Sequence, residues 1–475
     1  MKKLSNILLF TLLISVAMSA QKTKEAVLKK LDSQTEKYGS IAMQIWDLAE
    51  MGYLEEQSSS LLQETLLKEG FTIKKGVADI PTAFVAEYGS GLPIIAILGE
   101  FDALPGLSQQ AIPEKKSANG DAGHACGHHL FGTASAAAAI SVKQWMQSTK
   151  QKGTIRFYGC PAEEGGGAKV YMAREGLFDD VDIALHWHPG SQNAASAAAA
   201  LANISAKFRF YGISAHAAGA PEKGRSSLDG VEAMNAMVNM MREHVPQEAR
   251  IHYVITDGGK APNVVPDFAE VYYYSRHNSR DVVRSIFNRI VKAGEGAALG
   301  TGTTMDYEII NGVHELLPNL SLQKLVHDNL SAIGGVTYSA EEKEFAEKIA
   351  LSLGQTKADL DRAVNIQPYK ETAQAYGSTD VGDVSFVVPT VGFGTATWVP
   401  GTSAHSWQAV AAGGTSIGEK GMMVAAKTIT ATVIDLFKNQ ELIVKAKVEF
   451  KNRRGLNFIY KPLLGNRPPA LNYRK

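Results

Sequence analysis

The run Gly123-His124-Ala125-Cys126-Gly127-His128-His129 sets three imidazoles and a thiol within six positions. Singly, such residues are more often structural than not. Together they are the donors that zinc-like ions prefer. Cys126 and His128 are the best pair, and because residues two apart cannot share one face of a regular helix, a turn before a helix must aim both at one point. A second cluster, Gly159-Cys160-Pro161-Ala162-Glu163-Glu164-Gly165, places two adjacent carboxylates in a loop after a strand. Side chains there tend to diverge, so one carboxylate can ligate a cation while the other works as a general base toward water. His186 and His188, and His405 in Thr402-Ser403-Ala404-His405, supply further nitrogen donors. Cys126 and Cys160 could instead form a disulfide, the ordinary reading of two thiols in an oxidising compartment.

These loops need a frame that brings strand ends together. Thr82–Glu87, Leu92–Leu98, Thr154–Tyr158 and Asp182–Leu185 read as strands, and an alanine-rich helix runs from about Gly127 to Met146. Alternation of strand and helix predicts an α/β fold with a mostly parallel sheet, whose carboxyl edge is where such folds build sites. From Ile204 the order becomes strand, helix (Ser226–His244), strand (Ile251–Thr256), strand (Phe268–Ser275), helix (Asp281–Leu299), strand (Thr303–Ile309). This is the β-α-β-β-α-β, ferredoxin-like module. Strand-like Ser385–Val388 and Val391–Gly394 and a long helix Gly414–Phe437 follow. The predicted domains are 21–203 with 312–440 for the metal-binding part, 204–311 for an inserted module, and 441–475 for a basic extension, solvated and packed along the domain.

Length and balance narrow the function. A chain of 475 residues exceeds a single core. With 48 basic and 48 acidic residues it carries no net charge to gather nucleic acid or an anionic membrane. Met1-Lys2-Lys3, the apolar run Ile7–Val16 and small residues to Ala20 read as a signal peptide over residues 1–20, so export to the periplasm or medium is expected. The run is about half the length of roughly 20 residues that a membrane span needs.

The phrases Gly99-Glu100-Phe101-Asp102-Ala103-Leu104-Pro105-Gly106, Gly123-His124-Ala125-Cys126-Gly127-His128, Pro161-Ala162-Glu163-Glu164, Ser214-Ala215-His216-Ala217-Ala218 and Pro262-Asn263-Val264-Val265-Pro266 occur in fixed order. In order and spacing they resemble the M20 metallopeptidases, in the branch of amino-acid amide hydrolases, and within it the aminobenzoyl-glutamate hydrolase type. The resemblance implies a metallohydrolase catalytic domain with an inserted dimerisation or lid domain. It implies Cys126, His128, Glu164, His188 and His405 as ligands of two divalent ions, zinc or manganese, and Glu163 as the base. His188, six residues after Asp182, matches the family ligand better than His186 does. It further implies that His216 reaches the active site of a second protomer to stabilise an oxyanion, that Asn263 supports that region, that Arg276 grips a substrate carboxylate, and that Asp102 orients a ligand histidine. One departure is His129, where relatives commonly carry an acidic or amide residue.

The reaction so implied is hydrolysis of an amide in a small N-acyl or N-aroyl amino acid such as aminobenzoyl-glutamate. A dipeptidase or deacylase of the same family is the alternative, and a metal- or ligand-binding protein that keeps the fold is the non-enzymatic one. A serine hydrolase is disfavoured, since no Gly-x-Ser-x-Gly elbow is expected. The exposed edge of the inserted module predicts a homodimer, with a hetero-assembly containing a related A-type chain left open.

Overall fold

Residues Ile94–Gly99 are apolar without alternation, as in a strand covered on both faces. The computed structural model describes residues 24–374 and 377–474, and it places this strand inside a six-stranded sheet. The expected signal peptide lies outside the described residues.

Three helices (24–32, Thr35–Leu48 and Glu56–Lys68) precede strands β1 (Thr72–Lys75), β2 (Phe84–Ser90) and β3 (Ile94–Gly99). Helix His128–Thr149 leads to β4 (Gly153–Gly159), helix Ala168–Arg174 to β5 (Ile183–Leu185), and then come β6 (His188–Gly190) and the short β7 (Ala198–Ala199). The chain continues through β8 (Ala202–Tyr211), helix Ser227–Met241, β9 (Arg250–Asp257), β10 (Phe268–His277), helix Arg280–Thr301 and β11 (Thr304–Val313). After helices Leu320–Ile333 and Ala340–Ser352 it adds β12 (Ala373–Gln374), helix Val381–Val387, β13 (Thr390–Val391), β14 (Gly394–Ala396) and helices Ser416–Lys438 and Gln440–Arg454.

The large sheet has the order β1-β2-β4-β3-β5-β13. Its β4–β3, β3–β5 and β5–β13 pairings are parallel, whereas β1–β2 and β2–β4 are antiparallel. The sheet is therefore mixed, its first two strands joined by a connection too short for a parallel crossover. Helix His128–Thr149 is buried along nearly its whole length. The small residues Ala134 and Ala136–Ala139 let it lie close against the sheet and helix Ser416–Lys438. The second sheet, β11-β8-β10-β9, is antiparallel throughout, and two helices cover one face. That is the β-α-β-β-α-β arrangement expected of the inserted module, with its own core around Phe208, Phe210, Met234, Val271 and Ile290.

Two expectations need correction. Ser385–Val388 is not a strand: Ser385 lies in helix Val381–Val387, because a short apolar run carries no period that separates helix from strand. The basic C-terminal stretch is packed along the domain as expected, but it is held more firmly than a solvated extension. Past the helix end at Gly455 it is tied down repeatedly: the Tyr460 hydroxyl donates to Asp383 Oδ1 at 2.7 Å, the His314 ring bonds the Lys461 carbonyl at 3.0 Å, and Leu463 and Leu464 are buried.

We propose that residues 204–311 unfold as a unit of their own. Phe208 is fully buried, with the rings of Tyr273, Phe287 and Tyr307 within 5.5–6.2 Å, so Phe208→Ala should destabilise that unit by about 3–5 kcal/mol. All 5 tryptophans lie outside it. On heating the variant, a far-ultraviolet circular dichroism transition should precede any change in tryptophan emission; coincident transitions would mean one cooperative unit.

Candidate active site

Strands β3, β4 and β5 are parallel neighbours, so their carboxyl ends meet at one edge of the sheet. The segments leaving them carry Glu100 and Asp102, Glu163 and Glu164, and His186 and His188 respectively. Cys126 and His128 arrive at the same edge through the turn that starts helix His128–Thr149. Gly127 makes that turn at φ +77°, and a Cβ there would sit 2.7 Å from Pro189. His405 has the left-handed conformation (φ +59°), fixed by its backbone N–H donating to the Ala125 carbonyl at 3.0 Å.

The donor atoms converge. Cys126 Sγ lies 3.4 Å from His188 Nε2, and His405 Nε2 lies 3.0 Å from Glu164 Oε1. One set of donors, from Cys126, His128 and His188, and another, from Cys126, Glu164 and His405, each fit within 4.8 Å. The buried atoms His128 Nε2, Glu100 Oε2 and Glu164 Oε1 make no well-formed hydrogen bond among the described residues; their close polar neighbours are members of the same cluster, with His128 Nε2 3.1 Å from Glu100 Oε2 and Glu164 Oε1 3.0 Å from His405 Nε2. Such convergence of sulfur, imidazole and carboxylate, with orphaned polar atoms between them, suits divalent cations. Two sets sharing the Cys126 sulfur suit a pair of them.

The supports are also in place. Asp102 Oδ1 sits 2.7 Å from His128 Nδ1 and its Oδ2 accepts the Glu164 N–H at 2.9 Å, which leaves His128 Nε2 facing the donors. His188 Nδ1 bonds the Pro189 carbonyl at 2.7 Å, which likewise frees its Nε2. His186 is outside the donor sets, and burial together with neighbouring His188 pushes its pKa down to about 3. His124 bonds the Ile45 carbonyl at 2.9 Å and His129 the Gly413 carbonyl at 3.0 Å; burial holds both pKa values low, His124 at about 4. His129 therefore fills its departure from the family pattern as a neutral, hydrogen-bonded core residue.

Glu163 is half-buried beside Glu100 and His128, with ring nitrogen and carboxylate oxygens within 4.8 Å of one another. Burial, then the negative neighbours Glu100 and Glu164, push its pKa well above the usual carboxylate range. Glu164 is held low despite burial, chiefly by His405 and His128. Three members of this cluster escape the sequence reading. Lys169, fully buried, is 2.7 Å from Glu100 Oε1 and 2.6 Å from Asp380 Oδ1, while Glu100 Oε2 is 3.1 Å from His128 Nε2. Glu100 stands inside a recognised phrase and the Asp380-Val381-Gly382-Asp383 pattern is unusual enough to question, but a lone lysine on a short helix carries no signal.

The cluster floors a cavity of about 1380 Å³ that Arg276 also lines. The Arg276 guanidinium lies 5.1 Å above the Tyr274 ring and has no carboxylate within salt-bridge distance among the described residues, so it is not a surface ion pair. His216 and Asn263 are not brought to this cavity. They lie exposed on adjoining loops of the second sheet's unit, joined by the Ala217 N–H to Asn263 carbonyl bond at 3.0 Å. The serine-hydrolase expectation needs one correction: Gly414-Thr415-Ser416-Ile417-Gly418 does match the pattern. Ser416, however, begins a helix that follows another helix, and its hydroxyl donates to Glu342 Oε1 at 2.6 Å with no histidine base.

Comparison with known proteins agrees on a family. The model of peptidase family M20/M25/M40 matches residues 96–431. The B-type chain of the p-aminobenzoyl-glutamate hydrolase of Escherichia coli (strain K12) is 40% identical, over 93% of this chain and 97% of that protein. The Xaa-Arg dipeptidase of Mus musculus is 27% identical over 92% and 94%. Among solved structures, the Bacillus subtilis YXEP protein, described as a dinuclear metal binding peptidase from the M20 family, superposes with a TM-score of 0.57 at 16% identity, covering 86% of this chain and 99% of that one.

Both cysteines are free thiols, and burial raises Cys160 to about 12. Titration of the denatured, chelated protein with a thiol reagent should therefore give two thiols per chain. A count of zero would restore the disulfide.

Proposed function

This chain belongs to peptidase family M20/M25/M40, and on that premise we propose that it hydrolyses the amide bond of a small N-acyl or N-aroyl amino acid bearing a free carboxylate, with aminobenzoyl-glutamate as the leading candidate. The observation that carries the reading is the half-buried Glu163, its pKa raised, beside two donor sets that share Cys126. Cys126, His128, Glu164, His188 and His405 would hold two divalent cations, zinc or manganese. When bound, these supply Lewis acidity toward a carbonyl oxygen and ease the ionisation of water. Glu163 takes the proton of the attacking water at a carboxylate oxygen and delivers it to the leaving nitrogen. The raised pKa strengthens the carboxylate as a base for the first of these transfers. Asp102 keeps His128 aimed. Arg276, with no acidic partner among the described residues, receives the substrate carboxylate on its planar fork.

His216 and Asn263 act across a homodimer in this reading, since neither lines the cavity of its own chain. The E. coli relative is named as one of the enzyme's subunits, which also supports assembly with a related A-type chain. The apolar N-terminal run supports export after cleavage near Ala20. A dipeptidase is the second reading, favoured by the 27% identity to the murine dipeptidase over nearly the whole chain.

Glu163→Gln should lower kcat on aminobenzoyl-glutamate by about 10²–10⁴-fold, with metal content unchanged, because the amide keeps the shape and cannot take the proton. Activity within tenfold of wild type would reject the base. In the same assay, dipeptides cleaved faster than aroyl amino acids would favour the second reading.

The dimer reading has its own test. Mixing inactive Glu163→Gln protein with inactive His216→Ala protein should restore part of the activity, since some mixed dimers hold one site with both residues intact. With exchange of protomers demonstrated by differential labelling, no recovery would place His216 outside the partner's site.

A further inference from the structure

We propose that the C-terminal segment Pro468–Arg474 is a wall of the substrate cleft, and that Arg474 is a second carboxylate-binding group there, so that the preferred substrates are amides of dicarboxylic amino acids. This rests on the hydrolase reading above and adds to it the side chain of the acid product.

The segment is built in by contacts on both sides of the cleft. Arg174 donates to the Arg467 carbonyl at 2.7 Å, and Arg467 in turn donates to the carbonyls of Ile309 and Ile310 and lies 3.2 Å from Glu308 Oε1. The strap so crosses from the large sheet's unit to β11. Its end is fixed next to the chemistry: the Tyr473 hydroxyl donates to the Glu164 carbonyl at 3.1 Å and Arg474 Nη2 to the same oxygen at 2.6 Å. The Tyr473 ring meets Tyr53 edge-on at 5.6 Å, and Tyr53 in turn donates to the Gly166 carbonyl at 2.7 Å. Gly52 is cut to receive this end, since a Cβ there would fall 2.2 Å from the Tyr473 hydroxyl. The backbone of a cation-ligating loop is thus clamped by the last residues of the chain.

Most arginines and lysines facing the cavity are already paired. Lys207 and Arg209 are neutralised by Glu270, Arg209 also by Glu308, and Arg467 is occupied by Glu308 and two carbonyls. Arg276 and Arg474 have no carboxylate within salt-bridge distance among the described residues, and the buried Nε of each meets no hydrogen-bond acceptor. Two partly desolvated guanidinium groups without a carboxylate partner among the described residues are unfavourable unless an anion completes them. They line the same cavity as Glu163, from β10 and from the tail. A substrate with one carboxylate beside the scissile amide, taken by Arg276, and a second on its side chain, taken by Arg474, satisfies both.

The test compares aminobenzoyl-glutamate with aminobenzoyl-glutamine, in which a neutral amide replaces the side-chain carboxylate. Wild type should prefer the glutamate compound. Arg474→Ala should lower kcat/KM for it about 10–100-fold more than for the glutamine compound, mainly through KM, so that the preference collapses. Arg474→Lys, which keeps charge and the tail's packing, should recover part of the preference, and circular dichroism melting checks that each variant folds. An equal loss on both substrates would make the tail structural only. An equal gain would make it an obstruction, and either result overturns the proposal. Calorimetric binding of both compounds to Glu163→Gln protein, with and without Arg474→Ala, separates the two levels of the argument. Arg474-dependent preference for the glutamate compound in binding, with no hydrolysis of any amide by wild type, would sink the reaction and leave the subsite standing.

Discussion

Four carboxylates, Glu100, Asp102, Glu163 and Glu164, are drawn together at one sheet edge out of full contact with water, and this crowding governs the rest of the site. Two like charges about 4 Å apart at an effective dielectric of about 20 repel by about 4 kcal/mol, so the cluster cannot stay ionised without nearby positive charge. One answer is internal: Lys169 bridges Glu100 and Asp380 with no exposure to solvent. Another is a raised proton affinity: burial and like-charged neighbours lift Glu163 above the usual carboxylate range and Asp380 to about 6. The third is the converging sulfur and imidazole donors, which are arranged to bring in cations. Acids, lysine and donor sets are one electrostatic solution, in which removal of any member leaves the others uncompensated.

The parallel strands make that crowding possible. Because β3, β4 and β5 run side by side, the first residues past each are brought within a few ångström whatever their distance in sequence. The geometry is then locked by hydrogen bonds that hold the donors rather than the substrate. Asp102 bridges His128 and the Glu164 backbone, while the Pro189 carbonyl sets the His188 ring. Orientation is settled in folding, so little reorganisation is left for binding.

What the sequence discloses follows from this division. The donor clusters are legible because ligands for one ion must leave neighbouring strand ends in short, glycine-marked loops, and the six elements of the second sheet's unit are legible because each has a full period of alternation or helical spacing. Ser385–Val388 reads as a strand in error because its apolar run is too short to have a period. Lys169 and Asp380 pair over 211 positions, and the tail meets Glu164 over 310, so neither contact leaves a local trace. The basic character of the tail is visible, but charge says nothing of where a segment docks. Tyr473 finds its place only because Gly52 leaves room, a complementarity between two segments distant in the chain.

The same geometry separates chemistry from recognition by sign. The floor of the cleft is rich in acids and calls for cations; its walls, from β10 and from the chain's end, carry two guanidinium groups with no acid of their own among the described residues. A neutral amide has no preferred orientation in such a field. An amide with carboxylates on one side of the scissile bond does: the anions are drawn to the guanidinium groups of the walls, which leaves the carbonyl carbon over the floor. Selectivity would then come from placement of those cations on one side of the cleft. The tail fits this division because it is anchored by a backbone carbonyl of the floor while it offers its cation to the wall. The hydrogen bonds that hold the Glu164 loop are the same ones that place Arg474.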